Sequence, residues 1–301
     1  MTSKPYACLF PGQGAQALEM LDGVRHAPAF AERYALVCQA LGEDVDHALA
    51  NQQPDFLNRN AVSSLLTVLV STLSYDGWLG CTPPPAYVAG YSVGQWTALY
   101  AAGVVAFPLL VEIVKTRAAL MDACIAKTPG GMIGVIGLGE KAIHDLVFQL
   151  QTEGYQVEIS NYNCLGQYSL SAAADAMQPT LQAIQAREPR KVLALPVAGA
   201  WHSSLLRPAE APFAAYLATV TLAPPQLPVI DNVTGQLLPT AVADLKAQLV
   251  KQLAAPVRWQ QGVETLIGLG CERFVEIGYG RLLTKFGFFI NRAYAHEAFY
   301  A

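Results

Sequence analysis

Ala86-Tyr87-Val88-Ala89-Gly90-Tyr91-Ser92-Val93-Gly94-Gln95 changes character in its middle. Its first four residues form a short apolar run that reads as a buried strand ending in Gly90. A helical pattern runs from Gln95 to Ala102, so residues 91–94 have to make a tight strand-to-helix turn. The turn spells Gly-x-Ser-x-Gly, in which a sharp bend presents the serine hydroxyl at the end of a sheet. Glycines two residues before and two after Ser92 suit such a bend, because side chains there would drive strand and helix into collision. The helix N-terminus behind Ser92 also offers backbone N–H groups to a developing negative charge. An ordinary strand-to-helix turn has the same outline, so the reading depends on the rest of the chain.

Toward the N-terminus, Tyr6-Ala7-Cys8-Leu9-Phe10 is a second apolar run, stopped by Pro11-Gly12-Gln13-Gly14 as by a turn. A long helical region is expected after it, broken near Pro54 and resuming over 61–73 as a buried helix. Past the serine turn a further helix is expected over 108–126, with Pro108 in its first turn. The pattern then becomes strand 132–138, helix 140–153, strand 156–161, strand 167–172, helix 175–187 and strand 191–197. This β-α-β-β-α-β order is that of a ferredoxin-like unit. Strands at 229–233 and 273–277 resume the earlier style. The simplest architecture is α/β: an α/β-hydrolase-like large domain with a parallel sheet, over 1–129 and 198–301, with an inserted ferredoxin-like small subdomain over 130–197. A cleft between two such lobes is a common substrate site.

Composition narrows the function classes. The 301 residues are 53% hydrophobic and 14% charged, which fits a large, well-buried domain and excludes a disordered chain. A net charge of −4 and a pI near 5.7 argue against a nucleic-acid partner. The longest uncharged, mainly apolar run, 97–111, is too short to span a membrane and contains Pro108. Met1-Thr2-Ser3-Lys4-Pro5 leads directly into a strand and does not read as a signal peptide. Cys8, Cys38, Cys81, Cys124, Cys164 and Cys271 are scattered with no Cys-x-x-Cys pair. They read as small core residues of a reducing, cytoplasmic protein, and neither a metal site nor a disulfide framework is expected.

A serine nucleophile needs a base. Of the five histidines, His26, His47 and His144 lie in polar helical stretches and His296 near the C-terminus, and all four read as solvated. His202 lies in Ala198-Gly199-Ala200-Trp201-His202-Ser203-Ser204, where the small subdomain rejoins the large domain. It reads as a base facing the cleft or as a structural loop histidine. The helix over 108–126 carries an apolar face that includes Leu110, Ile113, Val114, Leu120 and Met121, with Arg117 in its middle. A buried guanidinium needs an anion. That anion is either a protein carboxylate or a carboxylate on the substrate, gripped bidentately.

These residues resemble the malonyl-CoA:acyl carrier protein transacylase family, which includes the acyltransferase domains of fatty acid and polyketide synthases. Leu9-Phe10-Pro11-Gly12-Gln13-Gly14-Ala15-Gln16 is similar to the family's N-terminal signature, and Gly90-Tyr91-Ser92-Val93-Gly94 to its nucleophile motif. Arg117 follows at the family's spacing, and Gly199-Ala200-Trp201-His202-Ser203 resembles the histidine segment. Asn161-Tyr162-Asn163, Asp231-Asn232-Val233-Thr234-Gly235, Gln252 with Pro256-Val257-Arg258-Trp259, and Val275-Glu276-Ile277-Gly278 resemble further family segments. The resemblance implies a ping-pong transfer of malonyl from malonyl-CoA to the phosphopantetheine thiol of an acyl carrier protein, by a discrete, trans-acting enzyme. Ser92 and His202 would be catalytic, and the N–H groups of Gln13 and Val93 the oxyanion hole. Arg117, Trp201 and Gln252 would bind substrate. A backbone carbonyl in the 231–235 segment would orient His202, so no triad carboxylate is needed. No permanently bound cofactor is implied, malonyl-CoA being the acyl donor, and a monomer is expected.

Three positions depart from the family's pattern: Tyr91 for the usual His, Gln95 for Glu, and Gly278-Tyr279-Gly280 for Gly-Pro-Gly. None removes a group that the mechanism requires. Trp201 beside His202 favours malonyl over α-branched units, since a bulky ring leaves less room for a branch. The alternatives are a hydrolase clearing acyl groups from carrier proteins, a transacylase subunit of a malonate decarboxylase, and an inactive carrier-docking subunit. No obvious basic cluster marks a docking patch, with Arg187, Arg190 and Lys191 the candidates.

Overall fold

Strand β1 (Tyr6–Phe10) is buried along nearly its whole length, as an apolar run in the middle of a parallel sheet must be. It opens the computed structural model, which describes residues 4–51 and 55–300. Helices α1 (Phe30–Leu41), α2 (Val45–Ala50) and α3 (Asn60–Leu79) follow, then β2 (Tyr87–Gly90), α4 (Gly94–Ala101) and α5 (Phe107–Lys127). Next come β3 (Gly130–Ile136), α6 (Glu140–Thr152), β4 (Val157–Cys164), β5 (Gln167–Ala173), α7 (Ala174–Gln185) and β6 (Lys191–Ala194). A short 3-10 helix (Ser204–Ala209) leads to α8 (Glu210–Thr219), β7 (Val229–Ile230), α9 (Val242–Lys251) and α10 (Trp259–Gly268). The chain ends with β8 (Arg273–Ile277), α11 (Leu282–Ile290) and β9 (Ala295–Phe299).

Two sheets result. The larger is parallel throughout, in the order β7-β2-β1-β8-β9. The smaller is antiparallel, in the order β4-β5-β3-β6. Numbered within the β-α-β-β-α-β unit, that order is 2-3-1-4, so the fold is α/β with a small ferredoxin-like antiparallel subdomain, as the element order implies. In the large sheet Phe10 pairs with Gly90, which sets the carboxyl ends of β1 and β2 side by side. Clefts of open α/β sheets form at those ends. Behind them, α3 is buried on nearly every side, which its dense apolar sequence anticipates.

Several boundaries differ from the sequence expectations. The chain after β1 is not helical until Phe30; residues 17–27 make successive turns, such as Met20 N–H to Ala17 O and Val24 N–H to Leu21 O, and Pro28 has no N–H to extend them. The expected break at Pro54 lies outside the described residues. Strand β6 stops at Ala194 instead of 197, since Pro196 cannot donate to a ladder. Strand β7 spans two residues instead of five because the Asp231 side chain accepts the N–H groups of Val233 and Thr234 and turns the chain. Helices α8 to α11 and edge strand β9 are additional to the sequence reading.

Two residue types also need correcting. His296 is not solvated: its ring stacks on Phe274 and its Nε2 meets the Asn291 carbonyl. Among the cysteines, Cys8, Cys124, Cys164 and Cys271 are core residues, whereas Cys38 is half-buried and Cys81 exposed. No helix among the described residues is long and apolar enough to cross a membrane.

Candidate active site

The turn after β2 is built by backbone constraint. Tyr91 N–H bonds to Phe10 O across to β1, and Gly94 N–H closes the turn on Tyr91 O. Ser92 sits at φ 53°, in the left-handed region that L-residues seldom occupy. A Cβ on Gly90 would run into the Gly94 carbonyl, and one on Gly94 into the carbonyls of Phe10 and Pro11. Both glycines are therefore required by close approach.

His202 arrives from the segment between the two sheets. That segment is fastened to the small sheet, where Ser171 Oγ donates to Trp201 O and Glu158 accepts from Ser204 N–H at 3.1 Å. His202 also has a positive φ, 55°, which its sequence does not announce. Its Nε2 lies 2.6 Å from Ser92 Oγ, and its Nδ1 lies 3.0 Å from the Gln252 carbonyl. The orienting carbonyl thus comes from Gln252, at the end of α9, and not from residues 231–235. That segment is folded on its own Asp231 and contributes Asn232 instead. Asn232 Oδ1 accepts Ser92 N–H at 2.8 Å and its Nδ2 donates to Gly90 O at 2.6 Å, clamping both sides of the elbow.

Gln252 and Gln95 complete a buried amide network. Gln252 Nε2 donates to Ser92 O at 2.8 Å and to Asn232 Oδ1 at 3.1 Å. Gln95 Oε1 accepts from Asn232 N–H at 3.1 Å and from Gln252 Nε2 at 3.3 Å. Neither a clamping role for Asn232 nor a relay through Gln95 follows from the linear sequence; the turn-forming Asp-Asn-Val-Thr-Gly string was the available signal.

Arg117 is 1% exposed, and no carboxylate among the described residues pairs with it. Its Nη2 reaches Gln252 Oε1 at 3.4 Å, and its Nε has no partner. Of the two readings open from periodicity, the internal salt bridge is absent among these residues. Burial pulls the guanidinium down to about 10, which leaves it cationic at neutral pH. His202 is pulled down to about 3, first by burial and then by the nearby Arg117 charge. Its imidazole is therefore neutral and free to accept a proton from Ser92.

A cavity of about 340 Å³ opens from Ser92 and His202. Its lining includes Gln13, Tyr91 and Trp201, Met132, Leu193 and Leu195, and Leu282 and Phe286 of α11. Arg117 lies beside the cavity, near enough for its charge to act on His202. Gln13 is pinned to α3 by its side chain, which donates to Asn60 Oδ1 at 2.9 Å and Ser63 Oγ at 2.6 Å. The backbone N–H groups of Gln13 and Val93 take part in none of the turn and loop hydrogen bonds among the described residues. Tyr91 turns away from Ser92: its hydroxyl donates to Asn163 Oδ1 at 2.6 Å and its ring packs on Trp259 and Phe286. It ties the elbow to the small sheet.

Residues 8–287 match the family described as the acyl transferase domain. The chain is 33% identical over 282 residues to the malonyl CoA-acyl carrier protein transacylase of Salmonella typhimurium, covering 93% of this chain and 90% of that one. It is 34% identical over 284 residues to the polyketide biosynthesis protein ThaF of Burkholderia thailandensis, 93% of this chain but 24% of that much longer protein. Among solved structures, the acyl-carrier-protein S-malonyltransferase of Burkholderia pseudomallei superposes with a TM-score of 0.91 at 28% identity, over 98% of this chain and 96% of the other. A malonyl-transacylase solved in complex with a type II polyketide synthase acyl-carrier protein gives 0.90 at 29% identity, over 98% and 94%.

Proposed function

The chain belongs to the acyl transferase family, and on that premise we propose that Ser92 and His202 carry its reaction. The enzyme transfers a malonyl group from malonyl-CoA to the phosphopantetheine thiol of an acyl carrier protein. Ser92 Oγ attacks the thioester carbonyl while His202 Nε2 takes its proton, and the Gln252 carbonyl holds the opposite ring nitrogen. The N–H groups of Gln13 and Val93 stabilise the tetrahedral oxyanion. His202 then protonates the departing CoA sulfur, and the acyl-enzyme ester remains on Ser92. In the second half, His202 takes the proton of the carrier thiol, the thiolate attacks the ester, and the proton returns to Ser92.

Arg117 is the observation that carries the acyl specificity: a buried cation without an acidic partner is matched by the free carboxylate of a malonyl group. The pairing excludes simple fatty acyl chains, which would leave the charge uncompensated. Trp201 limits room at the α-carbon, and Gln252 links Arg117 to the elbow. No step requires a bound cofactor.

The large lobe is taken as 1–129 and 198–301, and the small one as 130–197. The protein acts as a discrete, monomeric enzyme in a reducing, cytoplasmic setting that suits its free thiols. Arg190 and Lys191, exposed at the start of β6, are candidates for carrier contact; Arg187 is spent on Ala183 O and Gln149.

Incubation with malonyl-CoA should add one malonyl group to Ser92, visible by intact mass and absent in Ser92→Ala. Arg117→Ala should slow that labelling by about 100-fold or more while the protein stays folded. Carrier protein should discharge the adduct much faster than water does, which separates transferase from hydrolase. An unlabelled but correctly folded wild-type protein would sink this reading.

A further inference from the structure

The loop after β1 is held by side chains. Residues 11–16 take part in none of the turn and loop main-chain hydrogen bonds among the described residues. Gln16 Oε1 accepts Gly14 N–H at 2.7 Å, and Gln16 Nε2 meets Leu57 O at 3.4 Å. The main attachment is Gln13 Nε2 on the first turn of α3, which reaches Ser63 Oγ at 2.6 Å, Asn60 Oδ1 at 2.9 Å, Ser64 Oγ at 3.1 Å and Asn60 O at 3.2 Å. A backbone N–H that stabilises a developing charge has to be fixed in place beforehand. On a loop without main-chain pairing, that fixing falls to the Gln13 side chain.

Asn60, the first residue of α3, is 3% exposed and uses both ends of its carboxamide. Its Oδ1 accepts from Gln13 Nε2 and, at 3.3 Å, from Ser64 Oγ. Its Nδ2 donates to Asp122 Oδ1 at 2.9 Å and to Ala118 O at 3.3 Å, both on α5. Two donor hydrogens and two lone pairs are thereby all engaged. The amide can point only one way. The Ala118 carbonyl can only accept, which turns Nδ2 toward α5, and Gln13 Nε2 can only donate, which takes the oxygen. Ala118 directly follows Arg117 in α5. One buried carboxamide therefore joins the loop that carries the Gln13 N–H to the helix that carries the unpaired cation.

The consequence rests on the acyl-transfer reading above, in which the Gln13 N–H is half of the oxyanion hole. We propose that Asn60 is a positioning residue for that hole. It bonds Gln13 at one end and α5 at the other, and so fixes the Gln13 N–H relative to Arg117. Asn60 itself does not line the Ser92 cavity and acts only through Gln13. The carbonyl of the acyl group and its free carboxylate are then met by two groups held on a common support, and losing the support costs rate in the chemical step.

The test follows Ser92 acylation by malonyl-CoA in single turnovers, read by intact mass. Asn60→Ala should lower the maximal rate about tenfold or more, with half-saturation by malonyl-CoA within about twofold of wild type. The final extent should stay at one malonyl per chain, whereas a loss of folded protein would lower it. Gln13→Ala keeps the N–H but cuts the same tie. Asn60→Ala added to it should cost no more than about twofold again. Asn60→Asp keeps the acceptor for Gln13 but sets a carboxylate against Asp122, and should be slow. Asp122→Asn in that background exchanges donor and acceptor, and should return the rate to within about threefold of wild type. An unchanged Asn60→Ala rate, a loss that multiplies fully with that of Gln13→Ala, or an Asn60→Asp variant that is fast alone or not rescued would each overturn the proposal. If Asn60→Ala does not fold, the exchanged pair decides. A wild-type protein that malonyl-CoA does not label would instead overturn the function proposed above.

Discussion

His202 is a weak base in the empty site because two effects act on it together. Burial strips its imidazolium of water, and Arg117 repels the positive form. On the function proposed above, a malonyl carboxylate seated on Arg117 would cancel the second effect, so the substrate would strengthen the base that acts on it. The depressed pKa has a testable sign. A histidine at its ordinary value would lose activity as pH falls through the range near 6.5; here the neutral form persists well below it. The acidic limb of kcat/KM for Ser92 acylation should therefore be missing between pH 7 and 5. Arg117→Gln removes the repulsion and should shift that limb upward into the measurable range, whatever it does to the rate itself. A limb near 6.5 in wild type would contradict the placement of His202.

At the scale of elements, the site depends on helices that carry no catalytic group. Helix α11 supplies Leu282 and Phe286 to the cavity, and its N-terminus is held by one carboxylate from β8. Glu276, 1% exposed, accepts Leu283 N–H at 3.1 Å, Thr284 N–H at 2.7 Å and Thr284 Oγ1 at 2.8 Å. An anion at a helix N-terminus is favourable, yet burial still raises this carboxyl above its usual range. Replacing Glu276 with Ala leaves those donors unpaired. It should cost about 1–3 kcal/mol in denaturant unfolding and loosen the cavity wall, so KM for malonyl-CoA should rise. An unchanged unfolding midpoint would show that α11 is anchored in some other way.

For the whole molecule, the two sheets meet at a histidine, His202, that is held by both. The backbone around His202 is fastened to β4 and β5, whereas its ring is held by α9 and the β2 elbow. Such a histidine links stability to pH. Its folded-state pKa lies below the unfolded value of 6.5, so the unfolded chain binds a proton that the native state refuses. Stability from this group is full above about 6.5 and is lost as pH falls toward about 3. His296, lowered by burial, has the same sign. Unfolding free energy should therefore decline with pH in this window, and His202→Gln should flatten the decline. The surface ion pairs, such as Lys4–Glu272, are exposed and contribute little to any such trend.

The elbow was legible because its motif is local, although only Gly90 is forced by a near neighbour, Gly94; Gly94 itself is required by the Phe10 and Pro11 carbonyls at the end of β1. The ferredoxin-like unit was legible for a related reason, since its period changes are short-range and β3 to β6 pair within one stretch of chain. Arg117 could be recognised as misplaced from helical spacing alone. Its lack of an acidic partner could not, because a partner can come from any element packed against α5. The orienting carbonyl of Gln252 and the Asn232 clamp were likewise decided only by the tertiary structure. Each depends on a main-chain group meeting a side chain across 50 or 140 residues of sequence, and every residue has the same main chain. The sequence by itself determined which elbow serine, hinge histidine and misplaced arginine the protein has; packing decided what holds them.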